Sequence, residues 1–292
     1  MSGFVDIHCH GGGGAMFGES VEASLSALAA HRARGTDAVV ASLVTAPVRE
    51  LATQLGVLRE AAAHDPGLAG AHLEGPFLAP ERKGAHDEAH LAHPTPALVE
   101  DLIAAGDGLL RHVTIAPELP GALDAIFRFA SAGVVVAVGH TTAGASLARE
   151  AFDAGARLVT HAFNAMPGIA GRDPGPVGAA IADRRVSIEV IADGIHVDPA
   201  LIALLFRESP GRVVLVSDAM AAAGAGDGRY GLGGLEVDVR GGRAVLAGTE
   251  TLAGSTLTLD RAVDVCVAAG VDRDVAVAAA SVVPARVLGL SG

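Results

Sequence analysis

Aromatic side chains, lysine and cysteine are all scarce in this chain of 292 residues. It contains no tryptophan, aromatic residues make up 3% of it, and Lys83 is its single lysine. Its two cysteines, Cys9 and Cys266, are too few for a disulfide framework. That scarcity is typical of proteins of the reducing cytoplasm, where we expect this chain to work.

Positive charge is also in short supply, with 21 Lys and Arg residues against 33 Asp and Glu and a formal net charge of −12. Such an acidic chain is not expected to bind nucleic acid or an anionic membrane. The N-terminus lacks the features of a signal peptide. The longest stretch without a charged residue, 129–148, contains Gly133, Gly139 and His140, so it predicts a strand, a turn and a helix rather than a membrane span. We therefore expect a soluble protein whose partner is a small molecule.

Apolar residues make up half of the chain, and their spacing predicts strands that alternate with helices. Eight apolar runs have the length and composition of buried strands: 3–10, 38–45, 68–74, 111–116, 134–140, 158–161, 186–192 and 213–217. Segments with helical spacing lie between them, such as 23–34, 48–63, 120–132 and 199–208. Eight strands in this alternation predict an α/β fold, a closed (β/α)8 TIM-like barrel.

The chain after the eighth strand predicts a hairpin insertion and two closing helices. The hairpin covers about 229–248, with Gly241 and Gly242 at its turn. The helices lie near 257–269 and 273–288. Since no linker, repeat or low-complexity segment interrupts the chain, we predict one domain, 1–292.

His8 and His10 follow a short apolar run and precede four consecutive glycines. Residues two apart on a strand project from the same face, so these two imidazoles can hold one metal ion. Two polar residues at a strand end would give the same pattern. The histidine pair alone therefore does not distinguish a metal site from a polar strand end.

Four more candidates stand at the carboxyl ends of predicted strands, where barrel enzymes build their sites. They are Glu74, His140, His161 and Asp218. Each alone could be a hydrogen-bonded core residue or a helix cap. Together they are harder to explain that way, because buried imidazoles and carboxylates cost free energy without partners.

The types of these residues predict a metal-dependent hydrolase. Histidine nitrogen and carboxylate oxygen suit zinc, and also iron, cobalt or manganese. With Glu74, His140 and His161 as ligands, Asp218 is the candidate acid/base that takes a proton from water and returns it to a leaving group.

The chain resembles the amidohydrolase superfamily and, within it, the N-acetylglucosamine-6-phosphate deacetylase family. The resemblance covers residues 3–290. Its motifs are Gly3–Gly14, His72–Phe77, Lys83–Asp87, Val113–Glu118, Gly139–Thr142, His161–Pro167, Asp193–Val197, Ser217–Met220, Leu252–Thr256 and Pro284–Leu290.

The resemblance implies hydrolysis of the acetamide of N-acetyl-D-glucosamine 6-phosphate in amino-sugar catabolism, and a homodimer. It places Glu74, His140 and His161 on the family's metal ligands and Asp218 on its catalytic acid/base. With His8 and His10 kept, it implies one or two divalent ions per chain, most simply zinc, with Glu74 as the bridge. The sugar-phosphate contacts that it implies are Ala85, His86, Asn164, Ala165, Arg172, His196, Leu252, Ala253 and Gly254.

Some alternatives stay open at this point. Arg172 could be a solvated loop charge paired with Asp173, and His196 could cap local structure before Asp198. The family's usual small β-sandwich has no counterpart in this sequence, so we expect the barrel without it. The function could also be deacetylation of a related N-acetyl-hexosamine or its phosphate, or sugar-phosphate binding by an inactive barrel.

Overall fold

Eight parallel strands, arranged side by side in chain order, form the centre of the computed structural model, which describes residues 3–290. They are β1 Phe4–Cys9, β2 Thr36–Val44, β3 Leu68–Glu74, β4 Leu110–Ile115, β5 Val135–Val138, β6 Leu158–Val159, β7 Ser187–Ile191 and β8 Val213–Val216. Every residue of β7 and β8 is buried. Near-continuous apolar runs are typical of parallel strands covered on both faces, so the barrel prediction is confirmed.

Helices follow the strands and cover the outside of the sheet. Those of the barrel are α1 Val21–Arg32, α2 Val48–His64, α3 Pro96–Gly106, α4 Ala122–Ser131, α5 Ala145–Ala154, α6 Gly175–Ala182 and α7 Pro199–Glu208. Two single 3₁₀ turns, Pro80–Arg82 and Glu88–His90, interrupt the connection after β3. The buried side of α2 carries Leu51, Leu55 and Leu58, spaced four and three residues apart as one face of a helix requires.

Local chemistry determines where several helices begin. Asp198 precedes Pro199, and its side chain accepts a hydrogen bond from the backbone N–H of Ala200. Proline fits the first helical position because its missing N–H would have no partner there. Ser20 caps α1 in a similar way, by accepting from the N–H of Ala23.

The strands that carry the candidate site end earlier than the sequence predicts. β5 ends at Val138 rather than His140, and β6 ends at Val159 rather than His161. The backbone φ is 46° at His140 and 24° at His161, which is incompatible with a strand. These two histidines therefore lie just past the strands, in the first residues of the loops.

The barrel closes between its first and last strands at the level of the candidate site. The backbone N–H of Asp218 donates to the carbonyl of His8 at 2.8 Å, and that of His10 donates to the carbonyl of Ala219 at 2.8 Å. Cys9 and Ala219 form an isolated parallel bridge. Closure of the barrel thus places Asp218 beside the histidine pair.

The prediction of a two-stranded hairpin after β8 was incomplete. The segment forms a three-stranded antiparallel sheet, with strands β9 Gly228–Leu232, β10 Leu235–Arg240 and β11 Arg243–Leu246. Gly241 and Gly242 form the second turn, as predicted. The first turn uses Gly233 and Gly234, both with positive φ, a pair that the hairpin prediction passed over.

The prediction of one helix over 273–288 was wrong, while the preceding helix, α8 Leu259–Ala268, lies where it was expected. The chain forms α9 Arg273–Ala279 and α10 Val282–Val287 instead. In a continuous helix Pro284 could not donate to the carbonyl of Ala280 and would clash with it. That carbonyl accepts a hydrogen bond from Val5 at the start of β1, at 2.8 Å.

Buried residues form a large cluster inside the barrel and under its helices, with a smaller one beneath the three-stranded sheet. Among helices of residues 3–290, none combines the length and hydrophobicity needed to cross a membrane. The single-domain count stays a prediction.

Candidate active site

The structure brings the six predicted metal and acid/base residues together at the carboxyl-terminal end of the barrel. All six side chains are buried or nearly so: His8, His10, Glu74, His140, His161 and Asp218. One group joins His8, His10 and Asp218 to Glu74, and a second joins His140 and His161 to the same Glu74. Glu74 therefore lies between the two groups.

Backbone strain is concentrated here. Of the six non-glycine residues with positive φ in the described part of the chain, four belong to this site, His140, His161, Ala165 and Asp218, and Phe163 lies between two of them in sequence. Such conformations cost about 1–3 kcal/mol each and persist only where surrounding structure imposes them. The strain marks this edge of the barrel as a functional site.

Glu74 is surrounded by ring nitrogens. Its Oε1 lies 3.0 Å from Nε2 of both His140 and His161 and 3.4 Å from Nε2 of His8. Its Oε2 lies 3.1 Å from Nε2 of His10. Oε1 thus contacts histidines of both groups and Oε2 contacts His10 of the first, so the carboxylate lies between the groups as a bridging ligand must.

Three of the four candidate histidine ligands have their other ring nitrogen, Nδ1, held by an oxygen that can only accept. His140 Nδ1 donates to the carbonyl of Arg82 at 2.7 Å, and His10 Nδ1 donates to that of Ser42 at 3.2 Å. His8 Nδ1 lies 3.1 Å from Glu189 Oε2. A neutral imidazole with its hydrogen on Nδ1 presents a lone pair at Nε2, which is the form that binds metals.

The spacing of these atoms fits a metal ion. Ligands about 2.0–2.1 Å from a tetrahedral zinc ion lie about 3.3 Å from one another. His161 Nε2 and His140 Nε2 are 3.0 Å apart, and His10 Nε2 is 3.2 Å from Asp218 Oδ1. The buried Nε2 of His8 has no hydrogen-bond partner among residues 3–290. Lone pairs that face carboxylates at this spacing need a positive charge between them.

The shifted pKa values of His10, Glu74 and Asp218 also indicate that the site favours a positive charge. Burial favours the neutral form of His10, but Asp218 and Glu74 outweigh it and raise the pKa of His10 to about 9. Burial opposes charge on Glu74, yet the surrounding histidines, His8 foremost, hold its pKa well below the usual range. The same balance lowers the pKa of Asp218. The carboxylates thus favour positive charge here, as a proton or as a metal ion.

A cavity of about 310 Å³ opens above this group, a size typical of small-molecule sites. Seven of the nine predicted sugar-phosphate contacts line it: Ala85, His86, Asn164, Ala165, His196, Leu252 and Gly254. Ala253 is buried behind the wall. The segment 252–254 is held beside Asp218 because the N–H of the next residue, Ser255, donates to the carbonyl of Asp218 at 2.7 Å.

His86 is a hydrogen-bond donor to the cavity. The backbone N–H of Thr45 donates to its Nδ1 at 3.2 Å, so the ring hydrogen is on Nε2, which lies 3.2 Å from Glu74 Oε2. Burial lowers the pKa of His86 to about 4, which keeps the ring neutral. This tautomer suits a contact to a substrate oxygen better than metal ligation.

His196 also lines the cavity, with its Nδ1 2.7 Å from Asp193 Oδ2. Burial favours the neutral ring, but the hydrogen bond and charge of Asp193 outweigh it and raise the pKa of His196. The position therefore suits an anion. Asp193 also accepts from the backbone N–H of Ile195 and of His196 at 2.8 Å, which fixes this turn.

Arg172 is not brought to the cavity. It is exposed on the loop before α6, and it does not line the cavity. Asp173 accepts from the backbone N–H of Ala145 and of Gly175 instead of pairing with Arg172. The predicted alternative, an ion pair between Arg172 and Asp173, does not form in the described part of the chain, and the phosphate contact of Arg172 stays a prediction.

Residues that support the site were missed from the sequence. Ser42, Thr45 and Glu189 each hold a histidine ring. Glu189 left a signal, because a lone carboxylate within the apolar run 186–192 is unusual in a buried strand. Ser42 and Thr45 left none, since small hydroxyl residues are common near strand ends.

The model of the Amidohydrolase family matches residues 1–292. The chain belongs to the amidohydrolase family. Members of this family are generally metal-dependent, which agrees with the two groups of potential ligands around Glu74. The resemblance stated from the sequence is confirmed.

Several amidohydrolase relatives are similar to the chain over nearly its whole length. It is 40% identical to the N-acetylgalactosamine-6-phosphate deacetylase of Escherichia coli O157:H7, over 99% of this chain and 78% of that protein. It is also 40% identical to the N-acetylglucosamine-6-phosphate deacetylase of Bos taurus, over 99% of this chain and 74% of that protein.

Solved structures are also similar to the chain over nearly its whole length. A mutant N-acetyl-D-glucosamine-6-phosphate deacetylase from Mycobacterium smegmatis, in complex with N-acetyl-D-glucosamine-6-phosphate, is 46% identical with a TM-score of 0.95. The match covers 99% of this chain and 77% of that one. The N-acetylglucosamine-6-phosphate deacetylase of Pasteurella multocida is 31% identical with a TM-score of 0.94, over 99% and 76% of the two chains.

Proposed function

We propose that the protein is a metal-dependent hydrolase that removes the acetyl group of N-acetyl-D-glucosamine 6-phosphate, releasing D-glucosamine 6-phosphate and acetate. The observation that carries the proposal is the set of Nε2 lone pairs and carboxylates at the base of a cavity of about 310 Å³. The names of the relatives support the same reaction.

The residues that would hold metal are His140, His161 and Glu74 for one ion, with His8 and His10 providing a second subsite that shares Glu74. The donor set of imidazole and carboxylate suits zinc first, and iron, cobalt or manganese as well. Bound there, a divalent ion lowers the pKa of water and polarises a carbonyl oxygen.

Asp218 is the proposed proton carrier. Its Oδ1 lies 3.2 Å from His10 Nε2, and the residue lines the cavity, so its carboxylate lies beside both the metal subsite and the space for a substrate. It accepts a proton from the attacking water and gives it to the departing amine. His86, with its hydrogen on Nε2, donates to a substrate oxygen.

The phosphate is held by local positive charge on an otherwise acidic protein. His196 is the donor within the chain, because its raised pKa favours the charged ring at the cavity. We further propose a homodimer in which the exposed Arg172 serves the phosphate site of the second copy. Light scattering together with Arg172→Ala tests this. A monomer whose activity is unchanged by the substitution would refute it.

The relatives differ in the sugar epimer that their names give, galactosamine or glucosamine. The galactosamine and glucosamine relatives are equally similar to the chain, at 40% identity. We propose the glucosamine substrate because most of the similar proteins carry that name. Two free, buried cysteines support a reducing cytoplasm as the site of the reaction.

The test is acetate release by the purified chain with added Zn²⁺. The substrates are N-acetylglucosamine 6-phosphate, its galactosamine epimer and unphosphorylated N-acetylglucosamine. We expect the highest kcat/KM with the first. A higher value with the epimer would assign the other substrate. Sugar-phosphate binding without acetate release from any of the three would refute an enzyme.

A further inference from the structure

Glu189 is a fully buried carboxylate in the wall of the barrel, in the middle of β7. It does not line the cavity. In the described part of the chain its ion-pair partners are histidines alone, His8 and His112. A charge in that position is costly unless something compensates it. The contacts of Glu189 identify the groups that compensate its charge.

The backbone of the neighbouring strand end holds Glu189 in place. The N–H of His161 donates to its Oε2 at 3.2 Å, and the N–H of Ala162 donates to its carbonyl at 2.8 Å. Both donors belong to the turn in which His161 has its unusual φ of 24°. The direction of the carboxylate is therefore set by main-chain geometry.

The same Oε2 lies 3.1 Å from Nδ1 of His8. Since a carboxylate oxygen accepts, His8 carries its ring hydrogen on Nδ1 and presents its Nε2 lone pair 3.4 Å from Glu74 Oε1 and 3.5 Å from Asp218 Oδ1. His10 and His140 are held instead by neutral backbone carbonyls. Of these three rings, His8 alone has a carboxylate as the partner of its Nδ1.

The other oxygen, Oε1, contributes little. It has no hydrogen-bond partner among residues 3–290, and His112 Nε2 lies 3.8 Å from it, beyond hydrogen-bonding distance. The negative charge of Glu189 is thus directed mainly through His8 toward the subsite that His8 and His10 form. A carboxylate behind a ligating histidine fixes the ring and raises its basicity.

We propose that Glu189 is a positioning residue for His8, and that occupation of the His8–His10 subsite by a divalent cation depends on it. This rests on the proposed function, because it assumes that the histidine pair binds an ion. It adds a residue in the middle of β7 to a centre otherwise built from residues at the carboxyl ends of β1, β3, β5, β6 and β8.

Glu189→Leu is the informative variant, because leucine has similar volume but can neither accept a hydrogen bond nor carry charge. The apo form should unfold at a lower Tm than the wild type, because leucine leaves the His161 N–H and the His8 Nδ1 without their acceptor, so the titrations are run well below that Tm. In the folded variant the affinity for the second Zn²⁺ should fall about 10–100-fold, the usual effect of losing such a partner. Glu189→Gln, which keeps an acceptor, should recover part of the loss.

The affinity is measured by titrating the apo protein with Zn²⁺ against a chromophoric chelator, and with Co²⁺ by its visible absorption. In a His8→Ala background Glu189→Leu should change Zn²⁺ affinity by less than about threefold, because the ring it positions is gone. An equal loss in both backgrounds would show a general structural role. Wild-type affinity in Glu189→Leu would also overturn the inference while leaving the hydrolase intact, whereas a wild-type chain that binds no ion would overturn both.

Discussion

Replacing Asp218 with asparagine should remove proton transfer while leaving the site's architecture in place. The backbone at this position has φ 48°, a conformation that Asp and Asn tolerate better than other residues with a Cβ. Its N–H bond to the His8 carbonyl and its carbonyl bond to the Ser255 N–H, at 2.8 and 2.7 Å, do not involve the side chain. Asp218→Asn should therefore fold normally.

The expected loss follows from the role of the carboxylate. A positioned acid/base contributes about 10²–10⁴ to turnover, equivalent to about 3–5 kcal/mol of activation free energy. The amide can still accept a hydrogen bond from the substrate, but it cannot take a proton from water. We expect kcat for acetate release to fall by about 10²–10⁴ and KM to change by less than about fivefold.

Asp107→Asn is the matched control, because Asp107 has a similar φ of 42° but is exposed at the C-terminal cap of α3. It should leave kcat unchanged. The assay is acetate release at saturating Zn²⁺, with metal content measured on the same samples. A kcat of Asp218→Asn within about fivefold of wild type, at equal metal content, would refute the assignment. A parallel loss of bound metal would make Asp218 a ligand rather than only a proton carrier.

Three further predictions concern the metal and the phosphate. His8→Ala combined with His10→Ala should reduce bound Zn²⁺ by one ion per chain in elemental analysis, because the other ligand group remains; unchanged content would remove the second subsite. His196→Asn should raise KM for the phosphorylated sugar about 10–100-fold, as loss of a charge-assisted contact of about 1.5–3 kcal/mol predicts. KM for the unphosphorylated sugar should not change, and an equal rise in KM for both sugars would contradict the phosphate role. Asp193→Asn should lower the raised pKa of His196. Because a raised pKa keeps the ring charged to higher pH, KM for the phosphosugar should begin to rise at lower pH in this variant than in wild type, and identical pH profiles would disprove the coupling.

The fold class and the centre of the site could be read from the sequence because both are encoded in short, local patterns. Apolar runs of strand length alternate with helical spacing, and this alternation predicts a parallel barrel. In such a barrel all strand ends meet at one edge, so polar residues after different strands converge. That rule alone places Glu74, His140, His161 and Asp218 near one another.

Element boundaries near the site could not be read in the same way. His140 and His161 follow apolar runs that would continue as strands on local preference alone. Their left-handed φ is imposed by contacts made elsewhere, among them the hydrogen bonds of the His161 turn to Glu189. The break before Pro284 is different, because proline is a visible local signal that the apolar spacing over 273–288 obscured.

The sequence by itself determined the alternation of strands and helices, the family motifs and the identity of the residues able to hold metal. Only the tertiary structure decided which nitrogen of each histidine faces the centre, that Glu189 lies behind His8, and that Arg172 lies outside the cavity of its own chain. The physical reason is distance along the chain. His8 and Glu189 are 181 residues apart, and a hydrogen bond between them leaves no periodic pattern that a local reading could detect.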